Sequence, residues 1–367
     1  EISDNLKKFS GMIIPEIDEI HAAPKPYFYR NKMEYAFSDQ RWLTSEEISN
    51  KSLPIEKKGL GFHKAGMWDK VVDIQQCHLQ PEPANEIRNA IKTFALEHGL
   101  DFFNPREQMG FLRSLMIRNS SRGEIMVLIQ FFKENKAQRE ALLEHLKKHF
   151  DITSLLYCIN SKANDTLYDQ EIICYDGKTF IMEEMEGLNF KINAKSFFQT
   201  NTEQAYELYK ITRDFAGLKG KELVYDLYTG TGTIAQFIAK DCNRVVGVES
   251  VPEAIEAANT NAKENGIKNA FFEVGDMRRV FNQDFINRHG KADVVITDPP
   301  RNGMHPAVVK QLLFLQPEKI VYVSCNPSTQ ARDLFLMKDH YKLVRSKAID
   351  LFPQTQHVEN VVLLEKI

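Results

Sequence analysis

The sequence predicts an α/β protein: a doubly wound sheet closed by an antiparallel hairpin, preceded by an α+β domain. Three observations carry this reading. After about residue 191, strand-like apolar runs alternate strictly with segments of helical spacing. Two of those runs, Val294–Thr297 and Ile320–Ser324, are almost unbroken apolar stretches, as expected of parallel strands buried on both faces. The final two runs follow one another with no helix between them, which turns the chain back antiparallel at one edge. With 367 residues, a prior of about 150 residues per domain allows two, and the change of rhythm divides them into residues 1–190 and 191–367.

In the first domain, Tyr27–Ser38, Phe62–Ile74, Phe111–Ile117 and Glu124–Phe132 are rich in β-branched, aromatic and aliphatic residues and read as strands. Ala84–His98 and Ala137–His149 have helical apolar spacing, with Ile87, Ile91 and Phe94 on one stripe. Shorter strands are expected near Ser154–Asn160, Glu171–Tyr175 and Thr179–Glu183. The second domain begins with strand Glu222–Leu227, helix Thr233–Lys240, strand Arg244–Glu249 and helix Pro252–Asn265. Strands Ala270–Val274, Ala292–Thr297 and Lys319–Ser324 follow with helices between them, and Lys342–Leu351 and Val358–Leu364 form the closing hairpin. A doubly wound sheet ending this way is the Rossmann-like architecture of class I methyltransferases.

Composition narrows the functional classes. Hydrophobic residues make up 43% and charged residues 26%, the balance of a folded globular protein rather than a disordered, collagenous or coiled-coil chain. No window approaches 18 consecutive apolar residues, so no membrane helix is predicted. The five cysteines, at 77, 158, 174, 242 and 325, form no CxxC pair and no even framework. They fit a reducing, cytoplasmic setting in which each thiol is read singly. The 47 basic and 50 acidic residues leave a net charge of −3, so any nucleic-acid surface must be local. The chain opens at Glu1 rather than Met, and an N-terminal segment is expected to be missing.

Open α/β sheets bind ligands at the carboxyl ends of their strands. The first strand of the second domain ends in Asp226-Leu-Tyr-Thr-Gly230-Thr-Gly232-Thr233, where glycines permit a tight turn and close backbone approach. Alone, Gly230-x-Gly232-x-x-Ala235 also fits a dinucleotide fingerprint or a plain strand–helix turn. Three acids behind it decide between cofactors. Glu249 ends the second strand, where a carboxylate can take both ribose hydroxyls of either cofactor; Gly275-Asp276 ends the third, at the adenine position; Asp298-Pro299-Pro300 ends the fourth, beside the reactive group. A dehydrogenase has no need of the last tripeptide, so the ordered set predicts S-adenosyl-L-methionine.

The residue after the two prolines is Arg301, not the aromatic that amino-group methyltransferases use to stack on a base. The next strand delivers Cys325-Asn326-Pro327 beside the Asp298 strand end. By itself a cysteine after an apolar strand is more often an inert buried thiol. Position gives it a chemical use. C5 of a pyrimidine is too weak a nucleophile to attack a methyl sulfonium; a thiolate added at C6 makes an enolate that places charge on C5, and a base must then remove the C5 proton. The loop into the final strand, Leu351-Phe-Pro-Gln-Thr-Gln-His357-Val-Glu359, offers Glu359 as that base, although a loop glutamate is usually only a solvated acid.

Asp298-Pro-Pro-Arg-Asn-Gly303, Val321-Tyr-Val-Ser-Cys-Asn326 with Thr329, and Leu351-Phe-Pro-x-Thr-x-His-x-Glu359 closely resemble the motifs of RNA (uracil-C5)-methyltransferases, which form 5-methyluridine in rRNA or tRNA. Ser196-Phe-Phe-Gln199 is similar to the family segment that precedes the methyltransferase core, and Tyr29-Arg-Asn-Lys-Met-Glu-Tyr35 to the entry into its central domain. The resemblance spans nearly the whole chain. It implies Cys325 as nucleophile and Glu359 as proton acceptor, with Gln199, Tyr228, Glu249 and Asp298 around the cofactor; Gln199 and Tyr228 rest on the resemblance alone. Gly230 and Asp276 complete the expected cofactor set. RNA is the expected partner, rRNA ahead of tRNA, presented as a single-stranded or flipped uridine, and the chain is expected to act as a monomer. An amine methyltransferase and a non-catalytic RNA-binding chaperone are the alternatives.

Many family members carry a β-barrel RNA-binding domain and three clustered cysteines that hold a [4Fe–4S] cluster with a fourth in the central domain. The first two features are absent from this sequence, and Cys77 resembles the fourth ligand. It is read either as an iron–sulfur ligand of a longer protein or as an ordinary half-buried cysteine; no other metal site is expected. Lys25, Tyr27, Tyr29, Arg30 and Lys32 interleave basic and aromatic residues as nucleic-acid stacking surfaces do, and a strand with one solvated face explains them as well.

Overall fold

A computed structural model describes residues 1–49 and 55–367. The chain divides into two compact units: one comprises Glu1–Pro26, Glu184–Phe190 and Ser196–Ile367, the other Tyr27–Glu183 and Lys191–Lys195. The chain begins in the first of these with α1 (Ile2–Phe9) and β1 (Asp18–His21). The division therefore differs from a single cut at residue 190, because the first 26 residues pack with the C-terminal part of the chain.

The second unit holds β2 (Lys32–Ser38), α2 (Ser45–Ser49), β3 (Gly59–His63), β4 (Val71–Asp73), α3 (Ala84–Glu97), β5 (Leu112–Asn119), β6 (Ile125–Phe131), α4 (Lys136–His149), β7 (Ser154–Ile159) and β8 (Ile173–Gly177). Its sheet runs β4-β3-β2-β5-β6-β7-β8, antiparallel except where β6 meets β7, the two strands joined through α4. A parallel pair needs such a crossover, and α4 supplies it. Alternate residues of β2, β5 and β6 (Tyr35, Leu115, Ile129) meet Ile87, Ile91, Leu142 and Leu146 of the two long helices in one core.

Two predicted strands are shorter or divided. Tyr27–Asn31 lies outside β2 because Phe28 adopts φ 55°, a left-handed conformation that breaks an extended run. Phe62–Ile74 is two strands rather than one: the Lys64 N–H reaches the Lys70 carbonyl (2.8 Å) across a turn through Gly66 (φ 77°), which reverses the chain into β4. The interleaved cationic and aromatic face is also interrupted, since Tyr29 is buried while Tyr27 and Phe28 are exposed. Cys77 belongs to the apolar core, its N–H bonded to Asn85 Oδ1 at 2.7 Å. Among the described residues no group of three metal-ligating side chains is assembled, and all five cysteines are free thiols.

β9 (Phe180–Met185) and β10 (Leu188–Asn193) pair as a two-stranded ribbon. The remaining elements alternate: α5 (Thr202–Ala216), β11 (Leu223–Leu227), α6 (Thr233–Ile238), β12 (Arg244–Glu249), α7 (Pro252–Glu264), β13 (Ala270–Val274), α8 (Gln283–His289), β14 (Val294–Thr297), α9 (Pro306–Leu315), β15 (Lys319–Ser324), α10 (Pro327–Met337), β16 (Tyr341–Ile349) and β17 (Glu359–Lys366). Their sheet has the order β1-β16-β17-β15-β14-β11-β12-β13. β11 to β15 are mutually parallel, and β17 lies antiparallel between β15 and β16. This is the doubly wound sheet with an antiparallel hairpin that the sequence predicts.

One detail of the hairpin differs from expectation. β16 is not the edge, because β1 pairs alongside it in parallel, Asp18 opposite Lys347 and His21 opposite Ile349. Arg345 holds this addition in place, donating to Asp18 Oδ2 at 3.0 Å and to Asp214 Oδ2 at 2.8 Å. On one face Leu6, Phe285, Val308, Leu312 and Leu334 pack on Tyr225, Val246 and Ile320; α5 packs on β14 to β17. Among the described residues, no helix is long and apolar enough to cross a membrane.

Candidate active site

The strand order places the sequence-predicted residues along one edge of the sheet. Passing from β13 to β17, the strand ends present Asp276, Glu249, Tyr228 with Gly230, Asp298, Cys325 and Glu359 in that spatial order. Neighbouring strands are about 4.8 Å apart, so the span from the Glu249 strand to the Cys325 strand is about 14 Å. An elongated ligand laid along these ends would reach from a carboxylate to the thiol.

Local sequence builds the first half of that edge. Leaving β11, the chain turns through Tyr228 (φ 60°), Gly230 (φ 54°) and Gly232 (φ 75°) before α6 begins. A Cβ at Gly230 would meet nothing within 4 Å, whereas one at Gly232 would strike the Phe272 ring at 2.6 Å. Gly232 is thus needed for packing, and Gly230 opens backbone surface to a ligand. Beneath the turn, Asp226 Oδ2 accepts from Thr229 Oγ1 (2.5 Å) and the Ala235 N–H (3.1 Å). Burial pushes the Asp226 carboxyl up to about 7 against those two bonds, with Glu249 adding repulsion.

The residues fit S-adenosylmethionine. Glu249 is aimed by the Ser250 and Val251 N–H groups on Oε1 (2.6 and 3.1 Å), while among the described residues Oε2 accepts a single long bond, from the Gly230 N–H (3.3 Å), leaving it capacity for a diol. Asp276 is engaged by Arg278 through its side chain and backbone, which holds the carboxyl down at about 2. The Ser196–Gln199 segment comes beside the glycine turn, where Thr231 Oγ1 lies 3.5 Å from the Phe197 carbonyl oxygen. Asn201 fixes the entry to α5: it caps that helix through the Gln204 N–H (3.3 Å) and donates to the Leu351 carbonyl (2.9 Å), with Gln204 bonding the Asp350 carbonyl (2.8 Å). The Asn-x-x-Gln signal before an apolar run marks such a cap, but neither the cap nor its tie to residues 350 and 351 was read from the sequence.

The second half of the edge holds Asp298, Cys325 and Glu359. Ser324 of β15 pairs with Asn360 of β17, so Cys325 leaves one strand where Glu359 enters the next. Asp298 ends β14, the neighbour of β15 on its other side. The loops are clamped together: Asn326 Nδ2 and Thr329 Oγ1 both donate to the Arg301 carbonyl at 3.2 Å, and Asn326 Oδ1 caps α10 through the Ser328 N–H (3.1 Å). Fully buried Asp333 accepts from the Met304 N–H and the Tyr322 hydroxyl, both at 2.7 Å, which anchors the far end of the Asp298–Gly303 turn. Behind Glu359, Asn360 and Gln330 bond one another (2.7 Å), and Gln330 donates to the Tyr322 carbonyl (3.0 Å). Both side chains are buried and local patterns gave no sign of their pairing.

Buried acids are concentrated here, with Arg301 acting against them at the thiol. Burial and then Asp298 raise the Glu359 carboxyl well above its ordinary range. Burial and Asp226 push Asp298 up to about 7. Burial, Glu359 and Asp298 push the Cys325 thiol up to about 11, opposed by its own backbone N–H and by Arg301. Buried Tyr209 lies among the same acids, its hydroxyl raised by burial, Asp298, Asp226 and Glu359, and sequence reasoning did not single it out.

These shifts have a measurable cost. The folded Asp298 value lies above the roughly 3.9 of an unfolded aspartate, so its favourable contribution is full below about pH 4 and is lost as pH rises through 7. Asp298→Asn is therefore expected to raise Tm at pH 8 and to leave it nearly unchanged at pH 4. Equal Tm values for the two proteins at pH 8 would discard this account of the acid cluster.

Comparison with known proteins agrees with the geometry. The family described as tRNA (uracil-5-)-methyltransferase matches residues 118–367. The chain is 53% identical to an uncharacterized RNA methyltransferase of Porphyromonas gingivalis, covering 99% of this chain and 80% of that one. It is 52% identical to another from Bacteroides thetaiotaomicron, with 100% and 81% covered. Among solved structures, the Pyrococcus abyssi tRNA (uracil-54, C5)-methyltransferase in complex with S-adenosyl-L-homocysteine superposes with a TM-score of 0.77 at 32% identity, covering 99% of this chain and 82% of that one. This chain belongs to the tRNA (uracil-5-)-methyltransferase family, S-adenosylmethionine-dependent enzymes that methylate uracil C5 in RNA.

Proposed function

We propose that the chain methylates uracil C5 through a covalent adduct between Cys325 and C6, with Glu359 removing the C5 proton. The observation that carries this reading is the meeting of Cys325, Glu359 and Asp298 at adjacent strand ends, where Glu359 and Asp298 raise the proton affinity of the thiol and Asp298 raises that of Glu359. S-adenosylmethionine supplies an electrophilic methyl group, and Gln199, Tyr228, Gly230, Glu249, Asp276 and Asp298 are the residues proposed to hold it. Cys325 gives up its proton to solvent as sulfur bonds to C6, the electron pair of the C5–C6 double bond moves toward C5 and O4 as an enolate, and the thiolate freed at the end takes a proton back. C5 then takes the methyl group and becomes tetrahedral, still bearing its hydrogen. Glu359 accepts that proton, the pair left behind restores the double bond, and the C6–S bond breaks to release the thiolate. The net change replaces C5–H by C5–CH3 and releases one proton. A buried carboxylate with raised proton affinity is a stronger base once ionised, which suits Glu359 to the elimination.

The chemistry does not select the RNA. An rRNA substrate was expected, whereas the Pyrococcus abyssi relative at 32% identity is named for tRNA, and that name gives tRNA its specific support. Transcripts of both classes, made with 5-fluorouridine, provide the test. Fluorine cannot leave C5 as a proton, so the reaction is expected to halt as a protein–RNA species stable to denaturing electrophoresis, sensitive to ribonuclease and mapping to Cys325. An enzyme that methylates ordinary RNA yet forms no such species, or forms it at another residue, would rule the covalent scheme out.

A further inference from the structure

The chain contains two tryptophans, Trp42 and Trp68, and both are on the surface of the unit that holds Tyr27–Glu183, 39% and 64% exposed. Tryptophan is usually well buried, and exposed tryptophan is characteristic of contact surfaces. The two belong to one place. The backbone N–H of Trp42 donates to the Val71 carbonyl (2.7 Å) at the start of β4, and Trp68 stands in the turn that leads into that strand. Met67, beside it, is 41% exposed. Lys64, at the other side of the turn, lies 5.4 Å from the centre of the Trp42 ring. β4 is the last strand of its sheet, with Arg41 bridging to it at Val71.

The charge of the edge is positive although the chain is not. Residues 57–70 carry Lys57, Lys58, Lys64 and Lys70 against one acid, Asp69. Asp69 is already bonded to Arg106 (2.6 Å), and the nearby acids Glu47 and Asp73 are paired with Arg41 and Lys92. Glu56 borders the lysines and accepts from the Lys58 N–H at 2.8 Å, so residues 56–70, with four lysines and two acids, keep a net charge of +2.

We infer that Trp42, Trp68 and the lysines of this turn form a second RNA-docking surface, where unpaired bases stack on the indoles and their phosphates meet Lys64 and Lys70. Flat apolar faces among cations are what single-stranded nucleic acid requires, and every base can use them. The surface gives a chain of net charge −3 a place to hold a polyanion. The inference rests on RNA being the substrate, and on none of the catalytic residues.

The two tryptophans make the test direct, because indole emission from the full chain reports this surface alone. Titration with a short oligouridine and with an unmodified tRNA transcript is expected to quench the emission to saturation, less strongly as salt rises. Trp68→Ala should raise KM for RNA about tenfold at unchanged kcat, and Trp68→Phe, which keeps a flat ring, should recover most of the loss. The Cys325→Ala chain should be quenched like the native one. Emission indifferent to RNA, or an unchanged KM in the Trp42→Ala, Trp68→Ala double variant, would overturn the inference. Emission that instead depends on protein concentration without RNA would also overturn it, assigning the surface to a second copy of the chain. Methylation without quenching sinks the docking surface alone; quenching without methylation of uridine sinks the uracil reading and leaves the surface standing.

Discussion

Cys325→Ala is expected to abolish methylation of RNA, with a loss of at least about 10⁴-fold in kcat, the scale on which removing a nucleophile acts when no other group can take its place. Without the sulfur, no enolate forms and C5 has no charge with which to attack the methyl donor. The loss should not reflect unfolding. Cys325 is only half-buried, and its loop is held by Asn326, Thr329 and Arg301 through bonds that the thiol does not share. Binding of S-adenosylmethionine should therefore survive in the variant. An amine methyltransferase would treat the thiol as incidental, so Cys325→Ala with appreciable activity selects that alternative.

Glu359→Gln should separate the two halves of the reaction. Addition and methyl transfer do not need a base at C5, so a single methyl group should be transferred at close to the native rate. Release does need one, and turnover should fall by about 10²- to 10⁴-fold while a methylated, ribonuclease-sensitive protein–RNA adduct accumulates on denaturing gels. Its mass should equal protein plus RNA plus one methyl group. The substitution keeps the shape of a side chain only 5% exposed and removes its repulsion with Asp298. A more stable but trapped enzyme is thus expected, and normal multiple turnover would take Glu359 out of the scheme.

The fold and the row of strand-end residues were legible for a common reason: both depend on short-range pattern. Val294–Thr297 and Lys319–Ser324 announce buried parallel strands, and in an open sheet the residue after each such strand stands at the ligand edge, which is where Asp298 and Cys325 are found. The features that escaped depended on distant partners. β1 has no apolar alternation, its four residues all being at least partly exposed, and it exists as a strand only because β16 is there to pair with. The Gln330–Asn360 bond joins a helix to the final strand, and each residue alone reads as ordinary polar surface. Tyr209 looks like any core residue of α5 until three carboxylates gather around it. The missed turn at Gly66 is a different case, since glycine inside a strand-like run is itself a warning of reversal.

The pairing of β1 with β16 also orders the protein's assembly in time. The segment Tyr27–Glu183 is a continuous stretch with its own core, so all but a few of the residues of that unit have been made by the time residue 183 leaves the ribosome. The first 26 residues must wait, because the strand they pair with and the helix they pack on lie near the other end of the chain. Contacts between such distant residues form slowly, and strand edges left open meanwhile invite association. The row of strand-end residues is complete only with β17, which lies between β15 and β16 and supplies Glu359. A chain that ends before β17 would lack Glu359, the carboxylate proposed as the base.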